Sequence, residues 1–392
     1  MDNLAHTLVG LVVAKAGPER ASPYATTVCI IAANAPDADI LATIKGRWFY
    51  LENHRGITHS IVGVVALAVI IPLVFYTAEK LIARWRNTQP RIRLRGLMLA
   101  SLVASATHPI LDWTNNYGVR PFLPWSGKWY YGDLAFIVDP WLWLVVGGAA
   151  FLATATTRWR NVLWSALALI LTFVIVFVRA DVPTPARALW LAGTIFFFVA
   201  HRLRFAARFG RLVPALALAF VPAYWCMLAI AHSLALRDAQ AITSDLAARN
   251  NETTRRVVVM PSLANPARWR VVGETDRADY VLQLSLTGDA RLVDHATQAA
   301  MGLKRFEKLQ GADAQRIEQL AREDERARIF LDFARFPLAR IVDLRNDATT
   351  KNSVASPTLI PRAQLFDLRF SEPGDDARRG TFAVEIPLAP QH

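Results

Sequence analysis

His54-Arg55-Gly56-Ile57-Thr58-His59-Ser60 runs directly into Ile61-Val-Gly-Val-Val-Ala-Leu-Ala-Val-Ile-Ile-Pro-Leu-Val-Phe-Tyr76. The second half is a bilayer-length apolar run, and the first half is a polar, histidine-rich edge. Ionisable groups are costly tenants of a membrane unless they bind or react with something, so this junction sets both the fold class and the place to look for chemistry.

Working outward, the junction has polar company. Upstream stands Asn34-Ala-Pro36-Asp37-Ala-Asp39, and downstream His108-Pro-Ile-Leu-Asp112-Trp113 closes another apolar run. His6 opens the first hydrophobic segment of the chain. Short helical segments are expected at about 4–16 and 23–35, joined by Gly17-Pro18-Glu19-Arg20. Spans follow at about 60–78, 94–111, 138–157, 162–179, 187–201 and 212–235. The chain is 53% hydrophobic and only 19% charged over 392 residues, outside the norm for a soluble globular protein.

The expected fold is an all-α polytopic membrane domain of six to eight helical segments over residues 1–236. A smaller soluble α+β domain is expected over 237–392. The tail holds 23 Lys/Arg and 22 Asp/Glu, long and charged enough for a core of its own. Its candidate strands are Arg256–Met260, Trp269–Val272, Tyr280–Ser285, Leu365–Phe370 and Thr381–Ile386. Glu/Arg pairs at helical spacing predict a helix from about Thr297 to Leu331, and Pro261-Ser-Leu-Ala-Asn-Pro266 reads as a loop.

The net charge of +12 is not a nucleic-acid face. Nearly all of it comes from three short basic loops, at 79–95, 158–160 and 202–211, the pattern of loops retained in the cytoplasm. Alternation of the spans then puts 34–59, 112–137, 180–186 and everything after 236 outside, the tail in a periplasm-like compartment. Cys29 and Cys226 both lie in apolar runs and offer neither a disulfide framework nor a thiolate zinc site. Asp2 without a basic flank does not suit a cleaved signal peptide.

That threading brings His6, Asp37, Asp39, His54, His59, His108 and Asp112 to one membrane face. His108 and Asp112, four apart on a helix, share a side, with Pro109 expected to kink the helix beside them. Asp37 and Asp39 follow the helix-stopping Pro36. Oxygen and nitrogen ligands without thiolate suit zinc, manganese or iron in a hydrolytic site, with room for two ions. Asp112 doubles as a candidate catalytic carboxylate, and Arg55 is the candidate for holding an anionic substrate oxygen. Thr58 and Ser60 are placed to cap the following helix. Each residue also has a bland reading, as an interfacial carboxylate, a helix-entry residue or an interhelical hydrogen bond. Trp125, Trp129, Tyr130 and Tyr131 read as an interfacial aromatic belt. His201, His232, His295 and His392 lack such company.

His6-Thr7, Pro36-Asp37-Ala-Asp39, His54-Arg-Gly-Ile-Thr-His-Ser60 and His108-x-x-x-Asp112 with a following Asn-Tyr-Gly resemble the YdjM-type family over about residues 1–140. The resemblance implies a membrane-bound metal-dependent hydrolase of the bacterial inner membrane. The order of histidines and aspartates is more weakly similar to zinc-dependent phospholipase C. This chain lacks the N-terminal Trp and the further downstream histidines of those enzymes, which counts against a complete three-zinc site. The favoured partner is the membrane lipid, with a lipid or lipid-linked phosphoester as substrate. The competing class is a non-enzymatic membrane protein with a structural metal or hydrogen-bond cluster and a partner-binding tail.

Overall fold

The computed structural model describes residues 1–287, 301–342, 362–373 and 382–388. The chain divides into two compact units. The first comprises Met1–Asp39, Arg55–Ser233 and Met260–Trp269; the second comprises Ile40–His54, Leu234–Val259 and Arg270–His392.

The first unit is helical. Helix α1 (Asn3–Ala16) starts at Asp2, whose carboxylate accepts the Ala5 N–H at 3.0 Å. Helix α2 (Ala25–Asn34) lies against α1 closely enough that a Cβ on Gly10 would come within 2.8 Å of the Cys29 carbonyl. Small residues thus set the helix spacing, as is usual where apolar helices meet inside a membrane. Helix α3 (Arg47–Asn53) belongs to the second unit. Helices α4 (Ile61–Trp85) and α5 (Leu94–Trp113) follow, then α6 (Pro140–Thr154), α7 (Arg158–Phe173), α8 (Thr184–Arg202), the short α9 (Phe205–Phe209) and α10 (Leu212–Arg249). The core runs through α1, α2, α5 and α6, with Val12, Val28, Leu97, Ala104, Leu142 and Ala150 almost wholly buried.

Among the described residues, five helical stretches are long and apolar enough to cross a bilayer: Ala25–Lys45, Ile61–Trp85, Leu94–Trp113, Arg158–Val178 and Leu212–Arg249. Asn3–Ala16 and Pro140–Thr154 are apolar but shorter. The chain is a multi-pass membrane protein. Two expectations change. The stretch expected as an outer loop at 34–59 is largely helical, because a 3₁₀ segment (Ala35–Lys45) extends α2 and α3 follows it. The 187–201 segment does form a helix, α8, but is not one of the five. Pro109 lies inside α5, which continues as helix to Trp113.

The second unit contains small antiparallel sheets. One has the order β1 (Thr254–Ser262), β2 (Asn265–Thr275), β3 (Ala278–Ser285), β4 (Lys304–Glu307). The other has the order β5 (Pro337–Val342), β6 (Arg362–Asp367), β7 (Ala383–Pro387), with Leu338 opposite Phe366 and Leu365 opposite Val384. Helices α11 (Gly311–Glu323) and α12 (Glu325–Phe333) pack on the second sheet through Ile317 and Phe330.

The single helix expected at 297–331 is therefore corrected. Residues 297–300 lie outside the described residues, Lys304–Glu307 pairs with β3, and Asp324 ends α11 while capping α12 through the Arg326 and Ala327 N–H groups. Pro261–Pro266 is corrected too. Both prolines lie in strand, and the turn is confined to Leu263 and Ala264, the latter at φ 55°.

Candidate metal centre

The polar junction of the sequence folds as two turns around one point. Ser60 caps α4 by accepting the Gly63 N–H at 3.1 Å, and its own hydroxyl donates to the Ile57 carbonyl at 2.7 Å. The 3₁₀ turn Ile57–His59 lies so close to α4 that a Cβ on Gly63 would run into the Ile57 carbonyl. His59 is thereby aimed inward, wholly buried. α5 delivers His108 and Asp112 from one face, and the 3₁₀ segment after α2 delivers Asp37.

Four ligand atoms converge, one each from Asp37, His59, His108 and Asp112. Nε2 of His59 lies 3.1 Å from Nε2 of His108, 3.4 Å from Asp37 Oδ1 and 3.3 Å from Asp112 Oδ2. Nε2 of His108 lies 3.4 Å from Asp37 Oδ1 and 3.5 Å from Asp112 Oδ2. A tetrahedral ion with ligands at ~2.0–2.1 Å sets its ligand atoms ~3.3–3.4 Å apart. Five of the six edges match that spacing, and the two carboxylate oxygens complete the group within 4.8 Å.

The tautomers point the same way. Nδ1 of His108 donates to the Ala33 carbonyl at 2.6 Å, since a carbonyl can only accept. Nδ1 of His59 faces Asp39 Oδ2 at 3.4 Å and Thr58 Oγ1 at 3.1 Å. A carboxylate there favours a protonated Nδ1. Both Nε2 atoms then present bare lone pairs to each other and to two carboxylates, an arrangement that asks for a cation at its centre. The residues present fit a divalent metal ion.

Asp112 is held on its other side. Arg55 is 2% exposed; its Nη2 donates to Asp112 Oδ1 at 3.1 Å. Its Nη1 is shared among the carbonyls of Asp112 (3.2 Å) and Gly118 (3.0 Å) and Asn115 Oδ1 (3.0 Å). The Tyr117 ring lies 4.7 Å from the guanidinium carbon. Arg55 sits at φ 51°, a left-handed conformation that costs a non-glycine residue roughly 1–2 kcal/mol. Its backbone N–H donates to Asp39 Oδ2 at 2.8 Å. One carboxylate thus ties the Arg55 backbone to the His59 ring.

The seven expected ligands separate accordingly. Asp37, His59, His108 and Asp112 meet. Asp39 backs His59 instead of pointing into the group. His6 stacks on His108 at 3.7 Å with its Nε2 3.4 Å from Asp112 Oδ1, and among the described residues neither ring nitrogen of this buried side chain has a hydrogen-bond partner. The Met1 amino group also contacts Asp112 Oδ1. His54 lies outside the four-residue group, at the end of α3 with its ring stacked on Tyr50 at 4.6 Å. Arg55, expected to hold a substrate anion, spends its Nη donors on Asp112 and the loop after α5. Sequence reasoning missed Asn115 and the Ala33 carbonyl. Asn115 had a signal in the polar stretch that follows Asp112.

Comparison with known proteins follows the same part of the chain. "Uncharacterized protein YfhP" of Bacillus subtilis (strain 168) is similar, with 30% identity over 152 residues. That stretch is 37% of this chain and 43% of the relative, so the chain spans under half the length of the relative it matches. No solved structure matches. Residues 1–182, which contain every member of the four-residue group, match the profile of the family described as YdjM inner membrane protein, the family that the sequence motifs indicated.

Proposed function

We propose that this chain is a metal-dependent hydrolase working at the edge of the bilayer, with a phosphoester of a lipid or lipid-linked molecule as substrate. The observation that carries this is the spacing of Asp37, His59, His108 and Asp112, with five edges of 3.1–3.5 Å. Two imidazoles and two carboxylates at near-tetrahedral spacing suit zinc best, with manganese and iron as alternatives. Bound there, such an ion supplies hydroxide near neutral pH and stabilises a developing oxyanion.

The chain's own groups have separable tasks. Asp39 and the Ala33 carbonyl fix the two histidine rings, and Arg55 fixes Asp112. Asp37, at 16% exposure, is the least buried of the four and marks the side from which a substrate or water reaches them. His6 Nε2 lies 3.4 Å from Asp112 Oδ1. Arg55 Nη2 already brings positive charge to that oxygen, so the ion belongs on the Oδ2 side. The basic loops at 79–95, 158–160 and 202–211 support a periplasmic tail; a reporter fused after residue 236 that proves cytoplasmic overturns that placement.

One observation favours a second reading. His59, His108 and Asp112 are at most 1% exposed, as a closed structural metal site would be. The test begins with metal analysis of protein purified without chelator, wild type beside His59→Ala and His108→Ala. Stoichiometric metal lost in both variants is expected; a metal-free wild type that takes up no zinc on reconstitution sinks both readings. Phosphate release from lipid phosphoesters in mixed micelles then separates them. Activity abolished in Asp112→Asn supports the hydrolase, and a metal-loaded but inert wild type supports the structural site.

A further inference from the structure

Residues 118–131 form a closed loop standing on the metal centre. Val119 and Tyr130 exchange two backbone hydrogen bonds of 2.9 Å at its base. The Pro121 carbonyl accepts the N–H of Ile61, the first residue of α4, at 3.0 Å. The Gly118 carbonyl accepts from the same guanidinium that holds Asp112. The tip is ordered as well, since the Trp125 and Ser126 N–H groups both donate to the Phe122 carbonyl. Yet this fixed turn carries Phe122 and Trp125 outward, the latter 77% exposed.

The elements it is tied to also expose apolar side chains. Ile57 and Ile61, two residues either side of His59, are exposed, as are Val65 on α4 and Ile110 and Trp113 on α5. α4 and α5 are two of the spanning helices, so their outward apolar side chains face lipid. Those side chains include the residues flanking His59, and the Ile61–Pro121 hydrogen bond fixes the loop beside them. Lys128 completes the tip, its ammonium 5.5 Å from the Tyr130 ring centre. Exposed aromatics beside a lysine are suited to the level of lipid phosphates.

We propose that the Phe122–Lys128 tip inserts into the headgroup and upper acyl layer where α4 begins and α5 ends, so that the metal centre receives phosphoesters carried by bilayer lipids and approaching sideways. The occupant of this apolar collar is the bilayer itself. The insertion stands on the loop's own geometry; the delivery of a lipid phosphoester rests on the hydrolase reading above.

A nitroxide attached at Trp125→Cys, with Asn87→Cys at an exposed position after α4 as reference, tests insertion in the full chain carrying Cys226→Ser. The protein is reconstituted in phosphatidylcholine/phosphatidylglycerol vesicles, and collisions with oxygen and with a water-soluble nickel complex are compared. Position 125 is expected to favour oxygen and position 87 nickel. Equal nickel access at both positions overturns insertion, and so does a label at 125 immobilised only at high protein-to-lipid ratio, the sign of a second copy covering the tip. For delivery, the Phe122→Ser/Trp125→Ser double variant is expected to lose at least tenfold in phosphate release from vesicle lipids while hydrolysing p-nitrophenyl phosphate as wild type does. An equal loss on both substrates overturns delivery. A wild type that hydrolyses neither refutes the hydrolase reading and delivery with it, while the labelling result still decides insertion.

Discussion

Nε2 of His59 and Nε2 of His108 face each other across 3.1 Å, each ring having its Nδ1 turned to an oxygen acceptor. Two neutral imidazoles so oriented repel unless a cation lies between them, and two carboxylate oxygens stand ready to complete its shell. This opposition links a membrane fold to metal chemistry more directly than any motif does.

The carboxylate behind His59 supplies the first prediction. Asp39→Asn keeps an acceptor for Nδ1 but removes the charge that makes the ring a stronger ligand. Metal affinity should fall by about 10–100-fold without being abolished, as is typical when such backing groups are lost. Competition against a chromogenic chelator measures this, and an unchanged affinity would show that Asp39 serves only the Arg55 backbone.

Arg55 makes a different demand. Arg55→Ala leaves Asp112 buried with its main countercharge gone, and losing one partner of a buried pair costs about 3–5 kcal/mol. Thermal unfolding in detergent should register a large drop. Arg55→Lys should recover little, because one ammonium cannot replace two Nη atoms spread over Asp112, Asn115 and Gly118.

At Gly63 the prediction is steric. Gly63→Ala favours helix intrinsically, yet its methyl meets the Ile57 carbonyl and must displace the turn carrying His59. Metal content should decrease while α4 remains helical by circular dichroism. A variant that binds metal normally would show that the turn moves without taking His59 with it.

In the second unit, Asp279 provides a pH test. Burial raises its pKa to about 6, with Glu274 adding to the rise and Lys308 at 3.4 Å opposing it. The folded state therefore prefers the protonated acid. Its favourable contribution is complete below the ordinary value of 3.8 and is lost as pH rises through about 6. Asp279→Asn should remove that dependence, so that β3 amides exchange more slowly than in wild type at pH 7 and no more slowly at pH 3.5. Identical exchange in the two proteins at pH 7 would count against the burial cost.

The fold was legible where hydrophobicity alone decides it, and the site where polarity interrupts hydrophobicity. His59, His108, Asp37 and Asp112 stood out because ionisable groups beside apolar runs need a reason to be there. His54 stood out equally, but Arg47–Asn53 forms a helix with little apolar periodicity, and its end carries His54 onto Tyr50. Arg55 was visible as a charge, but its acceptors lie 57–63 residues away and depend on how the chain returns after α5. Asp39 follows Asp37 by two residues, and the 3₁₀ segment that carries both sets its carboxylate behind His59, a placement that depends on turn geometry and not on composition.

The turn at Leu263–Ala264 has a consequence for synthesis. It lies some thirty residues beyond Ser233, yet Leu263 and Ala264 share a buried cluster with Ile175, Val182, Ala186 and Trp190. As the chain leaves the ribosome, the helical unit cannot close that cluster until the β1–β2 hairpin has also been made. A protein cut after Ser233 would keep Asp37, His59, His108 and Asp112 and still expose Trp190, so its first symptom should be proteolysis at α8, with metal uptake unchanged.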